Sequence, residues 1–391
     1  MSLAFQEGVL SDIARVTMGQ SPKKAFVSPT EEGLPLLNGP TEFGSSHPTP
    51  AQWSTSYSKT AEPGDILFCV RGSTTGRMNW ADQQYAIGRG IASISAINPQ
   101  ERHFVRGTID LLLPKLLAAA TGSTFPNVSR LQLSQLPIAL PSAAVRAEIS
   151  GLLGVLDNKI ESNRRIIDYS ASLLEGYSLI WGVNLPIVQL SKLTSAARST
   201  VNPAKLGNST VDHYSLPAFD DTQLPERGAA SAIKSSKLVV DRNSVLVSRL
   251  NPRIDRSWWV EIDTQLPSLA STEFACLTAP TDLDLANVWL AVRNPMFQEA
   301  LRHRVTGTSG SHQRVRPDDV MMIDVPDFAR LAPDRSRAAI ALLNSSSRVR
   351  HEIQRLQALR DALLPELMSG RILVSEAHEA INEEACDVEI Q

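Results

Sequence analysis

Residues 72–76 read Gly-Ser-Thr-Thr-Gly and follow an apolar run that ends at Val70. Hydroxyl groups and the backbone N–H groups of a glycine-rich turn suit phosphate oxygens. The loop could therefore hold a nucleotide, rest on a DNA backbone, or be no more than a turn. Neither Gly-x-Gly-x-x-Gly nor Gly-x-x-x-x-Gly-Lys-Ser/Thr occurs in the chain, which speaks against a nucleotide site.

Arginine and asparagine side chains cluster around this loop and again in the second half of the chain. Arginine can bind guanine or a phosphate through two hydrogen bonds, and asparagine can bind adenine in the same way. Any one arginine is as readily explained by a surface ion pair, but the cluster recurs in both halves. The predicted DNA contacts are Lys23, Lys24, Arg71, Ser73, Thr74, Arg77, Asn79 and Arg89 in the first half, and Arg249, Asn251, Arg253, Arg256, Ser309, His312, Arg314 and Arg316 in the second.

Catalytic and metal-binding patterns are missing from the sequence. The seven histidines are scattered, and the three cysteines lie far apart, which argues against a zinc site and against a disulfide framework. Asp157-Asn158-Lys159 resembles the end of a nuclease motif, but its expected position on the exposed side of a helix predicts a solvated charge pair. We therefore expect no catalytic residue and no metal in this chain.

The bulk composition limits the class of protein. A chain of 391 residues is expected to form two or more domains. A net charge of −3 excludes a generally basic polyanion binder, and the N-terminal sequence does not resemble a signal peptide. From Ser375 onward there are six acidic residues and no lysine or arginine, which predicts a solvated tail. A cytoplasmic location fits these features.

The chain repeats itself with a period of about 180–190 residues. The run 66–71, ending in Arg71, is echoed by 245–249, ending in Arg249, so the two arginines are expected to occupy the same place. Each half begins with about 140 residues of short strands and turns, a mixed α+β domain. Short helices near 108–120 and 283–304 each contain a proline, Pro114 or Pro295, which is expected to end or kink the helix.

A long amphipathic helix completes each half. Ser142 is a plausible N-cap of the first helix, and Pro333 begins the second. Apolar residues recur at alternating spacings of four and three, as in a heptad seam, and Asn163 within the seam could fix its register. Pairing of the two helices is expected, although each could instead pack on its own domain. The predicted helix-pairing residues are Ile149, Leu153, Leu156, Ile160, Asn163, Ile167 and Leu174, then Val349, Ile353, Leu356, Leu363 and Leu367. Arg146 and Asp157 are placed on the outer face.

The sequence resembles the specificity subunits of type I restriction–modification systems over nearly its whole length. The resemblance is carried by Pro-Gly-Asp-Ile-Leu at 63–67 with Arg-Gly-Ser-Thr-Thr-Gly at 71–76, by 246–253, by 156–165, and by 363–370. No single motif is diagnostic, but their order together with the repeat is specific. The acidic tail is not explained by the resemblance.

The resemblance implies a fold and a division of labour. Two target-recognition domains (1–141 and 186–332) would each read one half of a bipartite, asymmetric DNA site, and two conserved helices (142–185 and 333–374) would pair antiparallel, with a tail at 375–391. A helix of about 36 residues is roughly 54 Å long, the length of roughly 16 base pairs. Implied partners are double-stranded DNA, two modification subunits that carry S-adenosylmethionine, and restriction subunits that hydrolyse ATP with Mg; no cofactor is expected in this chain.

Two other functions stay open at this stage. The first is a nucleotide-binding enzyme that uses residues 72–76, and the second is a scaffold whose coiled coil joins other proteins. The counterpart of the first loop, residues 249–253, lacks the two glycines and the hydroxyl run, which favours a variable reading loop over a repeated cofactor site.

Overall fold

The structure is a computed structural model that describes residues 5–120, 126–262, 265–305, 313–377 and 379. It divides into two compact units. The first unit contains the described residues of Met1–Glu161 and Leu356–Gln391, and the second contains those of Ser162–Arg355. The fold is mixed α and β, as predicted. The residue ranges assigned above to domains stay a prediction.

The first unit contains three antiparallel or mostly antiparallel sheets. A two-stranded sheet pairs β1 with β11, a four-stranded sheet has the order β2-β10-β7-β8, and a five-stranded sheet has the order β3-β5-β4-β9-β6 with β4 and β9 parallel. The strands are β1 (Gln6–Val9), β2 (Ala14–Met18), β3 (Val27–Ser28), β4 (Leu34–Leu37), β5 (Trp53–Ser54), β6 (Thr60–Ala61), β7 (Ile66–Cys69), β8 (Met78–Trp80), β9 (Tyr85–Ile87), β10 (Ile91–Ala96) and β11 (Pro137–Leu140).

The second unit repeats this topology. Its sheets are β12-β22, β13-β21-β18-β19 and β14-β17-β20-β15-β16, with β15 and β20 parallel. Its strands are β12 (Ile187–Gln189), β13 (Ser195–Ala197), β14 (Thr200–Val201), β15 (Thr210–Tyr214), β16 (Glu226–Ala229), β17 (Lys237–Val240), β18 (Ser244–Ser248), β19 (Ser257–Val260), β20 (Ser268–Ala270), β21 (Phe274–Thr278) and β22 (Asp324–Pro326). In the five-stranded sheets the orders β5-β4-β9-β6 and β16-β15-β20-β17 correspond, and the fifth strand is added at opposite edges.

The helices lie between and after these strands, and they show what proline does at each position. Pro295 opens a new helix because its missing N–H is not needed in a first turn, whereas the helix that contains Pro114 continues past it to Ala118. Of the two expected effects of Pro114, an end of the helix does not occur, and a kink stays a prediction. The helices are α1 (Arg102–Ala118), α2 (Arg130–Ser134), α3 (Ala143–Gly182), α4 (Leu216–Asp221), α5 (Asp282–Arg293), α6 (Pro295–His303), α7 (Pro317–Met321) and α8 (Pro333–Ser369).

Central strands of both four-stranded sheets are buried on both faces. All of Ile66–Cys69 and all of Ser244–Ser248 are buried, which agrees with their nearly continuous apolar sequences. Gly64 precedes β7 with a φ of +89°, a backbone conformation that favours glycine. Trp258 and Trp259 on β19 are buried as well, so both belong to the core.

The two long helices run antiparallel within each unit. In the first unit Leu153 on α3 and Leu364 on α8 both lie against Gly107. Asp157, one turn later on α3, pairs with Arg360, one turn earlier on α8, so the two helices run in opposite directions. In the second unit, Asp168 on α3 faces Arg350 on α8, and nearer the end of α3 the Trp181 ring lies 5.5 Å from the guanidinium of Arg335. The predicted cap is present, because the Val145 N–H lies 3.4 Å from Ser142 Oγ and donates to it.

The predicted seam residues pack against the globular part of their unit as well as against the other long helix. In the first unit the apolar residues of both helices share one core with strand and α1 residues such as Ile94 and Phe104. Pairing of the helices and packing on the globular part therefore both occur. Asn163 is 1 % exposed, and among the described residues its side-chain amide has no hydrogen-bond partner. Ile149, Leu153, Leu156, Ile160, Leu174, Leu363 and Leu367 are buried, and Ile167, Val349, Ile353 and Leu356 are partly buried.

The placement of Arg146 and Asp157 on the outer face of α3 is wrong. Arg146 binds the buried Glu101, with 2.7 Å between Nε and Oε2, and Asp157 binds both His103 and Arg360. The physical reason is that α3 buries two sides, one against α8 and one against α1. A single heptad seam accounts for only one of these sides.

Candidate nucleic-acid interface

Two equivalent loops connect the central and edge strands of the four-stranded sheets. Residues 70–77 join β7 to β8, and residues 249–256 join β18 to β19. The loops have the same length, and each closes with the same backbone hydrogen bonds: Cys69 N–H donates to Arg77 O at 2.9 Å, and Ser248 N–H donates to Arg256 O at 3.0 Å. An equivalent side-chain hydrogen bond is present in each loop: Cys69 Sγ donates to Arg71 O, and Ser248 Oγ donates to Leu250 O.

This hydrogen-bond register corrects one prediction. Val70 N–H donates to Gly90 O and Arg249 N–H donates to Glu273 O, so Arg249 corresponds to Val70. Arg71 corresponds to Leu250 and not to Arg249. The alignment of the two halves by sequence matched Arg71 to Arg249, and this alignment is wrong by one residue. In extended backbone a shift of one residue turns a side chain to the opposite face, so Arg71 and Arg249 are not equivalent groups.

The glycines of the first loop serve its backbone conformation. Gly72 and Gly76 both have a φ of +93°, and a Cβ at Gly76 would lie 2.8 Å from Leu113. In the second loop Asn251 occupies the place of Gly72 with a φ of +50°, and asparagine tolerates this region better than most residues. Thr75 N–H donates to Gly72 O, as Ile254 N–H does to Asn251 O. The glycine-rich sequence is therefore explained by a turn and by close packing on α1.

Exposed cationic residues lie on neighbouring backbone segments at one edge of the first unit. Gly90 O accepts from Val70 at the start of the loop, and the neighbouring Arg89 N–H donates to Ser21 Oγ at 3.2 Å, which brings the segment with Lys23 and Lys24 close to the same edge. Arg71, Arg89, Lys23 and Lys24 are exposed, and their side chains make no hydrogen bond or ion pair with any other described residue. Ser73 and Thr74 are exposed in the same loop.

Two other predicted contacts of the first unit hold the fold together. Arg77 donates to Phe43 O at 3.0 Å and to Pro40 O at 3.4 Å. Asn79 is 2 % exposed and donates to Gly44 O. Both side chains fix the segment around residues 40–44 to β8. A DNA contact by either of them stays a prediction, and the placement of Asn79 does not favour one.

Several predicted arginines of the second unit are also engaged inside the protein. Arg249 donates to Val315 O at 2.9 Å and to Thr272 O, and burial lowers the pKa of its guanidinium. Arg314 binds Glu273 through two hydrogen bonds of 3.1 and 2.7 Å.

Arg256 also has an internal partner, since it binds Asp220 through two hydrogen bonds of 2.6 and 2.8 Å. Arg253 and Arg316 are exposed, and neither side chain has a hydrogen-bond or ion-pair partner among the described residues. Ser309 and His312 lie outside the described residues.

One group of residues near the second loop gave no signal in the sequence. Arg293 at the end of α5 binds Asp255 in the loop and also binds Glu175 on α3. The three residues are far apart in the chain and follow no motif, so only the tertiary structure brings them together. In the first unit Gly76, packed on Leu113, takes the place of Asp255.

A metal site requires clustered ligands, and a membrane-spanning helix requires a long apolar segment. Histidine, cysteine, aspartate and glutamate side chains nowhere gather in threes that could hold a metal ion among the residues that the structure describes. Within the same residues, no helix is both long and apolar enough to cross a bilayer. Cys69 and Cys276 are buried thiols.

The architecture is thus that of a two-unit, internally repeated protein with exposed basic loops and paired long helices. Residues 4–169 match the family model described as the type I restriction modification DNA specificity domain. The chain is 30% identical over 152 residues to a putative type I restriction enzyme specificity subunit of Methanocaldococcus jannaschii, a match that covers 39% of this chain and 36% of that relative.

A solved structure extends the likeness in fold to nearly the whole chain. The S subunit of a type I restriction–modification system from M. genitalium superposes with a TM-score of 0.61 at 14% identity, and the match covers 93% of this chain and 96% of that one. Residues 4–169 are thus similar to a type I DNA specificity domain, and the fold of nearly the whole chain is similar to that of a solved S subunit, in agreement with the resemblance seen in the sequence.

Proposed function

We propose that this chain is the non-catalytic, sequence-specific DNA-reading subunit of a type I restriction–modification complex. The observation that supports the proposal best is the match of residues 4–169 to a DNA specificity domain, on a unit whose exposed cations share one edge. Phosphate contacts would supply salt-dependent affinity, and base contacts would supply specificity. Because the fold is repeated, each unit would read one half of a bipartite site.

The partners and cofactors of the complex are part of the same proposal. Two modification subunits would carry S-adenosylmethionine, and restriction subunits would hydrolyse ATP with Mg, while this chain directs them to the site in the cytoplasm. The repeated domains (1–141 and 186–332) would be the readers, and the long helices would set the gap between the two blocks of DNA sequence.

Selection from a random DNA library tests the proposal. The chain, assembled with its modification subunit, is expected to enrich two short blocks separated by a fixed gap. Failure to enrich any sequence at any salt concentration would contradict DNA reading. A nucleotide-binding enzyme predicts instead that the isolated chain binds ATP or GTP. A scaffold predicts that deleting one unit leaves partner assembly and any DNA selectivity unchanged.

Arg71→Ala is expected to relax one block only. A bidentate arginine contact contributes about 1–3 kcal/mol of discrimination, so preference at one or two base positions should fall by roughly 10- to 100-fold. The same library selection measures the change. Arg15→Ala is a suitable control and should leave both blocks unchanged. Arg15 is exposed on β2 of the same sheet, and it lies opposite Ser95 in the strand register, away from the loop edge. Equal relaxation of both blocks would contradict the assignment of one unit to one block.

An exposed apolar stripe on α3 supports assembly with partner subunits. Ile166, Tyr169, Leu173 and Ile180 recur at helical spacing and are 40, 69, 48 and 72% exposed. A continuous apolar stripe on a helix surface is typical of a protein-binding site. We assign this stripe to the modification subunit, which would cover it with apolar side chains of its own.

Tyr169→Asp combined with Leu173→Asp is expected to weaken assembly with the modification subunit at least tenfold. Burial of one large apolar side chain contributes about 1.5–3 kcal/mol, and about 1.4 kcal/mol corresponds to tenfold in Kd. Titration of the labelled chain with the modification subunit measures the loss. Ser172→Asp adds charge at an exposed position of α3 outside the stripe and should leave the Kd unchanged. Equal affinity for the double variant and the wild type would exclude this surface.

A further inference from the structure

The two equivalent loops carry their free arginine at different positions. Counting from the shared backbone bonds, Arg71 corresponds to Leu250, and Arg253 corresponds to Thr74. In each loop one arginine is exposed and has no hydrogen-bond or ion-pair partner among the described residues: Arg71 in the first and Arg253 in the second. The scaffold is therefore constant while the position of the available guanidinium changes within it.

The second loop is fixed at both ends by arginines that point into the protein. At its start Arg249 binds the Val315 and Thr272 carbonyl groups, which lie on the two neighbouring segments. At its end Arg293 binds Asp255, and Asp255 Oδ1 also accepts from Ser257 Oγ at 2.8 Å. Only 18 % of the Arg293 side chain is exposed, so this pair is shielded from solvent more than a surface ion pair.

These bonds separate two roles among the arginines near the second loop. A guanidinium whose N–H groups are taken by carbonyl or carboxylate oxygens cannot offer the same N–H groups to a base. Arg249 and Arg293 are therefore unsuited to reading DNA in this arrangement. The only loop arginine that presents an unoccupied planar fork among the described residues 249–256 is Arg253, because Arg256 is held by Asp220.

We propose that Arg253 is the specificity-determining arginine of the second unit and that Arg249 and Arg293 are positioning residues for its loop. The inference rests on the proposed DNA-reading function and deepens it by naming the group that reads. In the first unit different residues would fill the same two roles. Gly76 packed on Leu113 takes the place of the Asp255–Arg293 pair, and Arg71 would read DNA in place of Arg253.

Library selection with the chain and its modification subunit distinguishes these roles. Arg253→Ala is expected to flatten one or two base positions of the second unit's block by roughly 10- to 100-fold and to leave the other block unchanged. Arg253→Lys should lose the same preference, because lysine lacks the planar fork. If Arg253→Lys keeps full selectivity, the residue contacts only phosphate and the assignment is wrong.

The positioning role has its own matched pair of variants. Asp255→Asn should broaden the whole block about three- to tenfold, because the loop end is released while no DNA contact is removed. Its salt dependence of binding should stay that of the wild type. Glu175→Gln also removes a negative charge from Arg293 but leaves the Asp255 bond of the loop intact, so selectivity should not change. Equal broadening by both variants, or by neither, would contradict positioning by Arg293.

The outcomes also separate this inference from the function on which it rests. If the wild type enriches no block, DNA reading itself fails and the inference fails with it. If the wild type enriches two blocks but Arg249→Ala flattens single base positions while Arg253→Ala does not, only the inference fails. Amide hydrogen exchange of β18 and β19, unchanged from the wild type, shows for each variant that the unit is folded.

Discussion

Replacement of Arg146 by alanine is expected to lower the free energy of unfolding of the first unit by about 3–5 kcal/mol. Arg146 binds Glu101 with 2.7 Å between Nε and Oε2 and 3.3 Å between Nη2 and Oε1, and it also donates to Pro141 O. Only 3 % of the Glu101 side chain is exposed. The variant would leave the buried Glu101 carboxylate without its cation. The free-energy cost of this unpaired charge is larger than the net contribution of the intact ion pair to stability.

Native-state hydrogen exchange of α1 and α3 measures this loss in the full chain. Arg371→Ala is the matched control, because Arg371 pairs with Glu366 in the same unit but its side chain is 65% exposed. Exposed pairs contribute about 0–1 kcal/mol, so the control should change little. The double variant Arg146→Met with Glu101→Gln should lose less than Arg146→Ala, since no charge stays buried. If Arg146→Ala matches the control, the buried pair does not stabilise the unit.

The repeat and its elements could be predicted because they depend on local sequence. Apolar runs indicated β7 and β18, and Ser142 with its neighbours indicated where α3 begins. These signals act over a few residues, and both halves carry them in the same order. The order of the elements along the chain was therefore readable without knowledge of any tertiary contact.

The role of each arginine could not be predicted, because the deciding partners are distant in sequence. The carbonyl group that binds Arg77 lies 34 residues away at Phe43, and the one that binds Arg249 lies 66 residues away at Val315. A guanidinium suits a base and a carbonyl group equally well, so residue type alone does not choose between them. The one-residue error between Arg71 and Arg249 has the same origin, since backbone hydrogen bonds and not side-chain identity set the register.

The packing of α3 shows a related limit of sequence patterns. A heptad seam describes a helix with one apolar side, and it correctly indicated residues such as Leu153 and Leu156 as buried. It says nothing of a second side on which half-buried positions are polar and matched by ion pairs. Arg146 and Asp157 occupy that side, and their charges made them look solvent-exposed in the sequence.

Asp157→Asn is expected to lower the free energy of unfolding of the first unit by about 2 kcal/mol at neutral pH, since the charge is lost and the side-chain NH2 group cannot accept one of the two hydrogen bonds. Asp157 Oδ2 lies 3.0 Å from His103 Nδ1, and Oδ1 accepts from Arg360 Nη1 at 3.1 Å. Burial alone would raise the pKa of Asp157. The hydrogen bond from His103 and the charge of Arg360 outweigh burial, so the pKa lies below its ordinary value.

This direction fixes how the effect of Asp157→Asn depends on pH. A carboxyl group whose pKa is lower in the folded state stabilises fully above its unfolded pKa of about 3.9, and the stabilisation is lost as the pH falls through the folded value. The difference between wild type and variant should therefore shrink as the pH falls below about pH 4. Hydrogen exchange of α1 and α3 at pH 3 and pH 7 measures both values.

Asp361→Asn provides the control, because Asp361 also binds Arg360 but its side chain is 66% exposed. Its effect should be at most about 1 kcal/mol. Both variants remove one carboxylate from the same guanidinium, and Asp157 differs from Asp361 in being less exposed and in binding His103 as well. An equal loss for both variants, or a loss for Asp157→Asn that is the same at pH 3 and pH 7, would show that Asp157 does not act as a half-buried charge between α1, α3 and α8.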